Sequence, residues 1–440
     1  MKKLFKKNGM LDNYFGLSVN NTNIKTEIVA GVTTFMTMAY ILIVNPSILS
    51  AAGMDSGAVF TATALSAIVA TLIMGLYAKL PFAQAPGMGL NAFFAYTVVL
   101  GMGYSFQFAL TAVFLEGLIF ILLTIFNVRE AIVDSIPNNI KKAISVGIGL
   151  FIALIGLEGA GIIVHPADGG TILALGKITS GPALLAIIGI LITGILLVRN
   201  TKGALFFGMI ITAVIGIFMG VTPMPTSIIS MPPSFSSLLF QFEWHNIFSV
   251  DMLVVLFTLL FMDMFDTIGT LVGVATKAKM LDENGKVPNI KKALFADAIG
   301  TTFGACVGTS TVSTFVESAS GVAEGGRTGL TAVSAAAMFG LSLFFAPLFA
   351  SITSAVTCCA LVLVGLFMIE PIKEIELTDY TEAIPAFLTI IMMPLAYSIS
   401  DGIVFGVISY IVLKLFAGKT KDISITTIIV AAIFVLKFLI

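Results

Sequence analysis

Apolar runs of about 20 residues recur along the whole chain, and a run of that length crosses the hydrocarbon core of a bilayer as a helix. Of the 440 residues, 58% are hydrophobic and only 11% are charged. A soluble domain carries about 25% charged residues to cover its surface, and a larger core does not remove that need. The composition therefore points to an all-α polytopic membrane protein seated in a lipid bilayer. A formal net charge of −1 supplies no basic surface for nucleic acid.

The expected spans are 27–49, 57–78, 82–100, 107–127, 139–157, 181–198 and 203–221, then, after a long loop, 251–276, 290–308, 311–324, 328–350, 352–370, 383–398 and 401–418. A further apolar stretch at 424–440 is left uncounted. Lys and Arg concentrate in cytoplasmic loops. With the N-terminus inside, every Lys and Arg falls in a cytoplasmic segment except Lys177 and the tail residue Lys437. The basic start, residues 1–7, lacks a short apolar core and cleavage site, so no cleaved signal peptide is expected. The outer loops 158–180 and 222–250 hold His165, His245 and Trp244, the last read as an interface anchor. Neither histidine has a partner at ligand spacing. Cys306, Cys358 and Cys359 lie in apolar segments and read as small packing residues. No cofactor is expected.

Two segments do not look like ordinary helices. The third span begins LPFAQAPGMG at 80–89, with two prolines and two glycines, and the tenth begins GTSTVST at 308–314, which is hydroxyl-rich and β-branched. Non-helical backbone is tolerated at membrane depth only when it is buried in protein or lines a cavity. The two segments also sit at matching places in the halves. Phe35-Met36-Thr37-Met38 is echoed by Phe261-Met262-Asp263-Met264, and the same offset carries Asn91 onto Glu317. Interrupted segments paired across two halves point to a transporter's binding site. GMGLNA at 87–92 also fits a loose dinucleotide-binding pattern, which is discarded for want of a βαβ context.

An ionisable residue at the bilayer centre costs about 2.5–3.5 kcal/mol, so it is a functional candidate by default. The deep ones are Glu116, Asp263, Asp266, Asp297 and Glu317, all acidic, with no deep Lys or Arg to pair them. Asp263 and Asp266 are three apart and share a helix face with Thr267 and Thr270. Two poorly solvated carboxylates this close do not both ionise readily, which suits Asp266 as a proton carrier or, alternatively, as a hydrogen-bonding scaffold. Glu317 follows Thr314-Phe315-Val316, where the irregular stretch should turn helical. A carboxylate beside the aromatic Phe315 suits a flat heterocycle whose N–H groups it accepts, and Asn91 can donate and accept. Glu116 is expected to bond a neighbouring helix, and Asp297 to form a snorkelling ion pair with Lys291 and Lys292. Gly300, Gly304 and Gly308 form a small-residue packing face.

Four stretches, VAGVTTFMTMAYILIVNP at 29–46, APGMGLNAFF at 85–94, FMDMFDTIGT at 261–270 and TSTVSTFVES at 309–318, resemble the azaguanine-type purine permeases of the nucleobase–cation symporter family, which also holds the xanthine and uracil permeases. The resemblance covers nearly the whole chain. It implies a uracil-permease-like fold of fourteen segments in two inverted seven-segment repeats, with short β-strands in segments 3 and 10. It divides the chain into a cytoplasmic segment (1–26), a core domain (27–128 and 251–350), a gate domain (129–221 and 351–418), an extracytoplasmic loop (222–250) and a tail (419–440). It implies uptake of guanine and hypoxanthine, with adenine a further candidate, by proton symport across the inner (plasma) membrane, and it allows a homodimer. Asp263, Glu317 and Asn91 match the family's base-contacting residues, with Phe315 and Ser318 beside Glu317, and Asp266 matches a second acid that affects transport. The uracil permeases carry a histidine near this point of span 8 that this chain lacks, so their coupling details do not carry over. A permease for xanthine or a pyrimidine, coupled to sodium or protons, is the rival reading, and a cation channel is a third. No H-E-x-x-H, G-x-S-x-G or in-span histidine suggests an enzyme.

Overall fold

Inside a hydrocarbon layer every backbone N–H and C=O needs a partner within the protein, and a helix supplies these from its own segment. The structure, a computed structural model, describes residues 9–126, 137–166, 172–281 and 287–424, with 427, 428 and 431. The basic N-terminal residues 1–7, Arg129, Lys286, Lys437 and most of the 424–440 stretch lie outside the described residues. Among the described residues, nine helices are long and apolar enough to cross a membrane, and three shorter apolar ones cover Met88–Gly101, Ala204–Phe218 and Tyr380–Leu395.

In chain order the first half holds α1 (Met10–Phe15), α2 (Ile24–Met38), α3 (Ile41–Ala51), α4 (Ser56–Ile73), α5 (Met88–Ala92), α6 (Phe106–Ile125), α7 (Asn138–Gly159), α8 (Gly181–Val198) and α9 (Ala204–Phe218). The second half holds α10 (Val250–Lys277), α11 (Ile290–Val307), α12 (Ser318–Ala323), α13 (Gly329–Ser342), α14 (Ala346–Ala350), α15 (Ser354–Met368), α16 (Tyr380–Leu395) and α17 (Ile399–Phe416). The strands are β1 (Gln84–Pro86), β2 (Ile163–Val164), β3 (Ala174–Leu175) and β4 (Val312–Thr314). Helices α4 and α5 continue as π-helices over Met74–Ala78 and Phe93–Gly101. A polar residue just ahead of an apolar run sets many helix starts: Asn23, Asp55, Ser105, Thr328, Asp379 and Ser398 each accept a first-turn backbone N–H.

The helices pack in two groups. In one, α11 lies against α4 and α6, α13 lies against α2 and α4, and β1 and β4 are enclosed among α4, α10 and α11. In the other, α7 packs on α15, α16 and α17, and α8 lies against α9 and α15. The small-residue face expected on α11 is used: a Cβ at Gly300 would stand 2.6 Å from the Ala70 Cβ of α4. Lys414, assigned to the cytoplasmic side, occupies the last turn of α17, where it is buried and paired with Glu382 at 2.8 Å and Asp422 at 3.1 Å.

Strands β1 and β4 meet antiparallel, with Gln84 opposite Thr314, Ala85 opposite Ser313 and Pro86 opposite Val312. Phe315 N–H to the Ala83 carbonyl and Gly87 N–H to the Thr311 carbonyl, both 3.0 Å, extend the crossing at its ends. Gly87 permits the close approach, since a Cβ there would meet the Ser313 hydroxyl at 2.6 Å. Each strand is also tied to the helix before it by one buried threonine. Thr71 of α4 donates to the Gln84 carbonyl and accepts its N–H, and Thr301 of α11 does the same for Val312.

Glu27, in the first turn of α2, is fully buried, with no cation paired to it among the described residues. Its carboxylate accepts the backbone N–H groups of Arg327, Thr328 and Thr331 and the hydroxyls of Thr328 and Thr331. It thereby satisfies the otherwise unpaired donors at the start of α13 and joins the chain's two halves. Glu27→Ala is expected to destabilise the protein by roughly 3 kcal/mol, because several buried donors lose a charged acceptor. The check is the thermal unfolding midpoint in detergent, with Glu27→Gln expected to fall between Ala and the native residue.

Candidate functional site

The site forms where β4 ends. Strand geometry stops at Thr314, Phe315 and Val316 turn the chain, and Glu317 occupies the position that opens the six-residue helix α12. Its side chain makes no capping bond to that helix. It reaches instead to Tyr40, whose hydroxyl donates to Glu317 Oε1 at 2.6 Å. Tyr40 stands at the break between α2 and α3, so two interrupted segments from different halves converge on one carboxylate. Phe315 is buried, its ring 6.5 Å from that of Tyr40 and tilted by 45°. Asp266 lies close enough to Tyr40 and Glu317 to bear on both electrostatically, and the Ser313 side chain hydrogen-bonds it.

Asp263 lies deeper. The Thr267 hydroxyl joins it to Asp297, with 3.1 Å to Asp263 Oδ1 and 2.8 Å to Asp297 Oδ1. Gln84 Nε2 continues the chain to Asp297 at 3.4 Å and to Thr314 Oγ1 at 3.1 Å. All five residues are essentially excluded from solvent. This corrects the expectation for Asp297. It does not snorkel to Lys291 and Lys292 but turns inward, because α11 packs against the strands and presents that position to Thr267 and Gln84. Glu116 bonds not to a neighbouring helix but to non-helical chain, accepting from the Thr311 hydroxyl just ahead of β4.

Asn91 sits in α5, fully buried, with its Oδ1 accepting from the Ser310 hydroxyl. Its Nδ2 has no hydrogen-bond partner. An unmade buried donor costs on the order of 1–3 kcal/mol, and such groups are uncommon in packed cores. Ser318 accepts the Ala83 N–H at 3.0 Å, which locks α12 to the chain entering β1 and leaves its hydroxyl proton available. The structure thus gathers Tyr40, Asp266, Phe315 and Glu317 closely, sets Asp263 in a buried relay behind them, and places Asn91 on the opposite interrupted segment. Reading the sequence overlooked Tyr40 and Gln84 and gave Asp297 the wrong partners. The signal for Tyr40 was present, because the offset that carries Thr37 onto Asp263 carries Tyr40 onto Asp266.

The family model named Xan_ur_permease, described as Permease family, matches residues 25–405. The guanine/hypoxanthine permease PbuG of Bacillus subtilis (strain 168) is 46% identical, over 97% of this chain and 99% of its own length. The adenine permease AdeQ of Escherichia coli (strain K12) is 41% identical, over 98% and 96%. Among solved structures, the transmembrane domain of a cyanobacterium bicarbonate transporter, BicA, superposes with a TM-score of 0.65 over 87% of this chain and 97% of that one. At 15% identity that likeness concerns the fold alone. A family match over most of the length, carried by relatives above 40% identity across nearly the full chain, makes this protein a multi-pass membrane transporter of the xanthine/uracil Permease family.

Proposed function

We propose that this chain imports purine nucleobases, guanine and hypoxanthine first and adenine as a further candidate, together with protons. The observation that carries this reading is the Glu317 carboxylate, half-buried beside Phe315 and steadied by a single side-chain donor, Tyr40. Guanine presents adjacent N–H and NH2 donors that match two carboxylate oxygens, and hypoxanthine presents the ring N–H. The unpartnered Asn91 Nδ2 would donate to a purine carbonyl or ring nitrogen, and the Phe315 ring would cover the base. Asp263 would hold the far edge of the base, directly or through Thr267, and Ser318 would support Glu317. The substrates in the names of the two relatives, guanine/hypoxanthine and adenine, agree with this chemistry.

For coupling, Asp266 would carry the proton, since it lies beside Glu317 and no cation among the described residues fixes its charge. One proton entering across 100 mV supplies about 2.3 kcal/mol. The paired threonine ties on β1 and β4 support an inverted repeat of seven segments, fourteen in all. The helix group around the strands, with the 27–128 and 251–350 segments, would form the core. The α7–α9 and α15–α17 group, within 129–221 and 351–418, would form the gate against which it rocks. The distribution of Lys and Arg supports a cytoplasmic N-terminus in the inner (plasma) membrane. A homodimer is compatible with this arrangement.

Radiolabelled hypoxanthine should accumulate in cells expressing the chain, and a protonophore should abolish that accumulation. Uptake that persists with the protonophore and requires sodium would overturn proton coupling. Glu317→Ala should lower uptake by roughly 100-fold, the order expected for a charge-assisted bidentate contact. Tyr40→Phe should retain uptake with a KM raised by about fivefold, as for the loss of one neutral donor. Topology has its own check: in a cysteine-free background, an impermeant thiol reagent should label Lys177→Cys in intact cells and leave Lys79→Cys unlabelled.

A further inference from the structure

The segment between α9 and α10 lacks the composition of an aqueous loop. Residues 219–242 carry no charged side chain. At the roughly 25% charge usual for soluble protein, a stretch of that length would hold about six. Six apolar side chains of the segment, Met224, Ile228, Ile229, Met231, Phe240 and Phe248, are between 62% and 96% exposed. Its other side is fixed to the helices. Thr61 of α4 donates to the Pro233 carbonyl at 2.8 Å, and Ser230 N–H donates to the Phe344 carbonyl at 3.0 Å. Leu238 is buried against Gly308, and Phe240 N–H donates at 2.8 Å to the carbonyl of Cys306 in the last turn of α11. The segment is thus bonded along one side and bare and apolar along the other.

Contacts with α6 set its depth. The Thr111 hydroxyl accepts the Glu243 N–H at 2.8 Å, about 7.5 Å along the helix axis from its first residue, Phe106. Phe114, about 12 Å along, is covered by Phe242 and Trp244, with ring centroids 4.8 and 6.1 Å away. The chain at 242–244 therefore runs down the flank of α6 instead of crossing over its end. Phe114 shares a helix face with Leu118, Leu122 and Ile125, all three exposed, and in a helix that crosses a membrane such a face meets lipid. Phe242 and Trp244 widen that face at its outer end. Glu243, the first charge after α9, turns its carboxylate back toward the helix start, where the Ser105 hydroxyl and the Asn246 amide donate to it. Aromatic rings at lipid depth with the charge directed toward water are the pattern of a membrane interface.

We propose that residues 224–248 form a strap embedded in the outer leaflet, at the boundary between headgroups and acyl chains, and that phospholipid covers its bare apolar side. The name of the leaflet follows the orientation proposed above, and the contact with lipid holds whatever the substrate. Through Leu238 and Phe240 the strap ties that leaflet to Gly308 and Cys306, the chain that leads into β4. Trp244 is the one tryptophan of the chain, so its emission reports on the strap alone. In the purified full chain in phosphatidylcholine nanodiscs, acyl chains brominated near the carbonyl end should quench Trp244 strongly. Chains brominated near the terminal methyl should quench it less, and aqueous iodide little, as for a depth of about 5–10 Å. Met231→Trp in a Trp244→Phe background moves the probe along the strap and should give the same pattern. Ile229→Trp in that background reads the same stretch if Met231→Trp does not elute as a single monodisperse species. Quenching of the moved tryptophan by iodide and not by bromolipid would place the strap in water and overturn the proposal, even with Trp244 anchored. Protection of either tryptophan from both quenchers would show a protein surface in place of lipid, such as a second copy of the chain, and would also overturn it.

Discussion

Two three-residue strands crossing inside a helical bundle are the feature on which the rest of the site depends. A strand pair that short satisfies only part of its backbone, and in a hydrocarbon layer each remaining group costs several kcal/mol unless protein supplies a partner. Thr71 and Thr301 supply one in each half, and Ser318 supplies another to Ala83. Once the crossing is paid for in this way, the chain can leave β4 abruptly and present Glu317 where a continuous helix would have carried it past. The same crossing brings Gln84 against Asp297 and Thr314, so the polar interior is assembled by the strands rather than merely accommodated by them.

The buried acids divide according to how fully they are held. Glu27 receives five hydrogen bonds from the start of α13 and acts as a clasp between the halves. Asp263 and Asp297 share the Thr267 hydroxyl in a relay closed to solvent. Glu317 is half-buried and has one side-chain donor, Tyr40, so it retains capacity to accept from a ligand. This difference in saturation separates a structural carboxylate from the proposed binding one, although among the described residues neither pairs with a cation.

Much of this was legible in the chain itself. Apolar run length located the helices, because spanning a bilayer leaves a compositional mark that no soluble core imitates. Prolines at 81 and 86 and the hydroxyl-rich stretch before Glu317 exposed the two irregular segments, because such residues make poor helices. Side-chain direction was not legible. Asp297 lies one turn from two lysines along the sequence, and only the packing of α11 on the strands shows that it faces inward. Tyr40 drew no notice in the sequence, and only the break between α2 and α3 shows that its hydroxyl meets Glu317. His165 found Glu158 only through the fold of the 158–166 turn.

A structure of the chain with hypoxanthine bound tests the central claim most directly. The account predicts the ring N–H within hydrogen-bonding distance of the Glu317 carboxylate, the purine face against Phe315, and Asn91 Nδ2 donating to a carbonyl or ring nitrogen. A base bound away from the strand crossing, with Glu317 still engaged only by Tyr40, would contradict it.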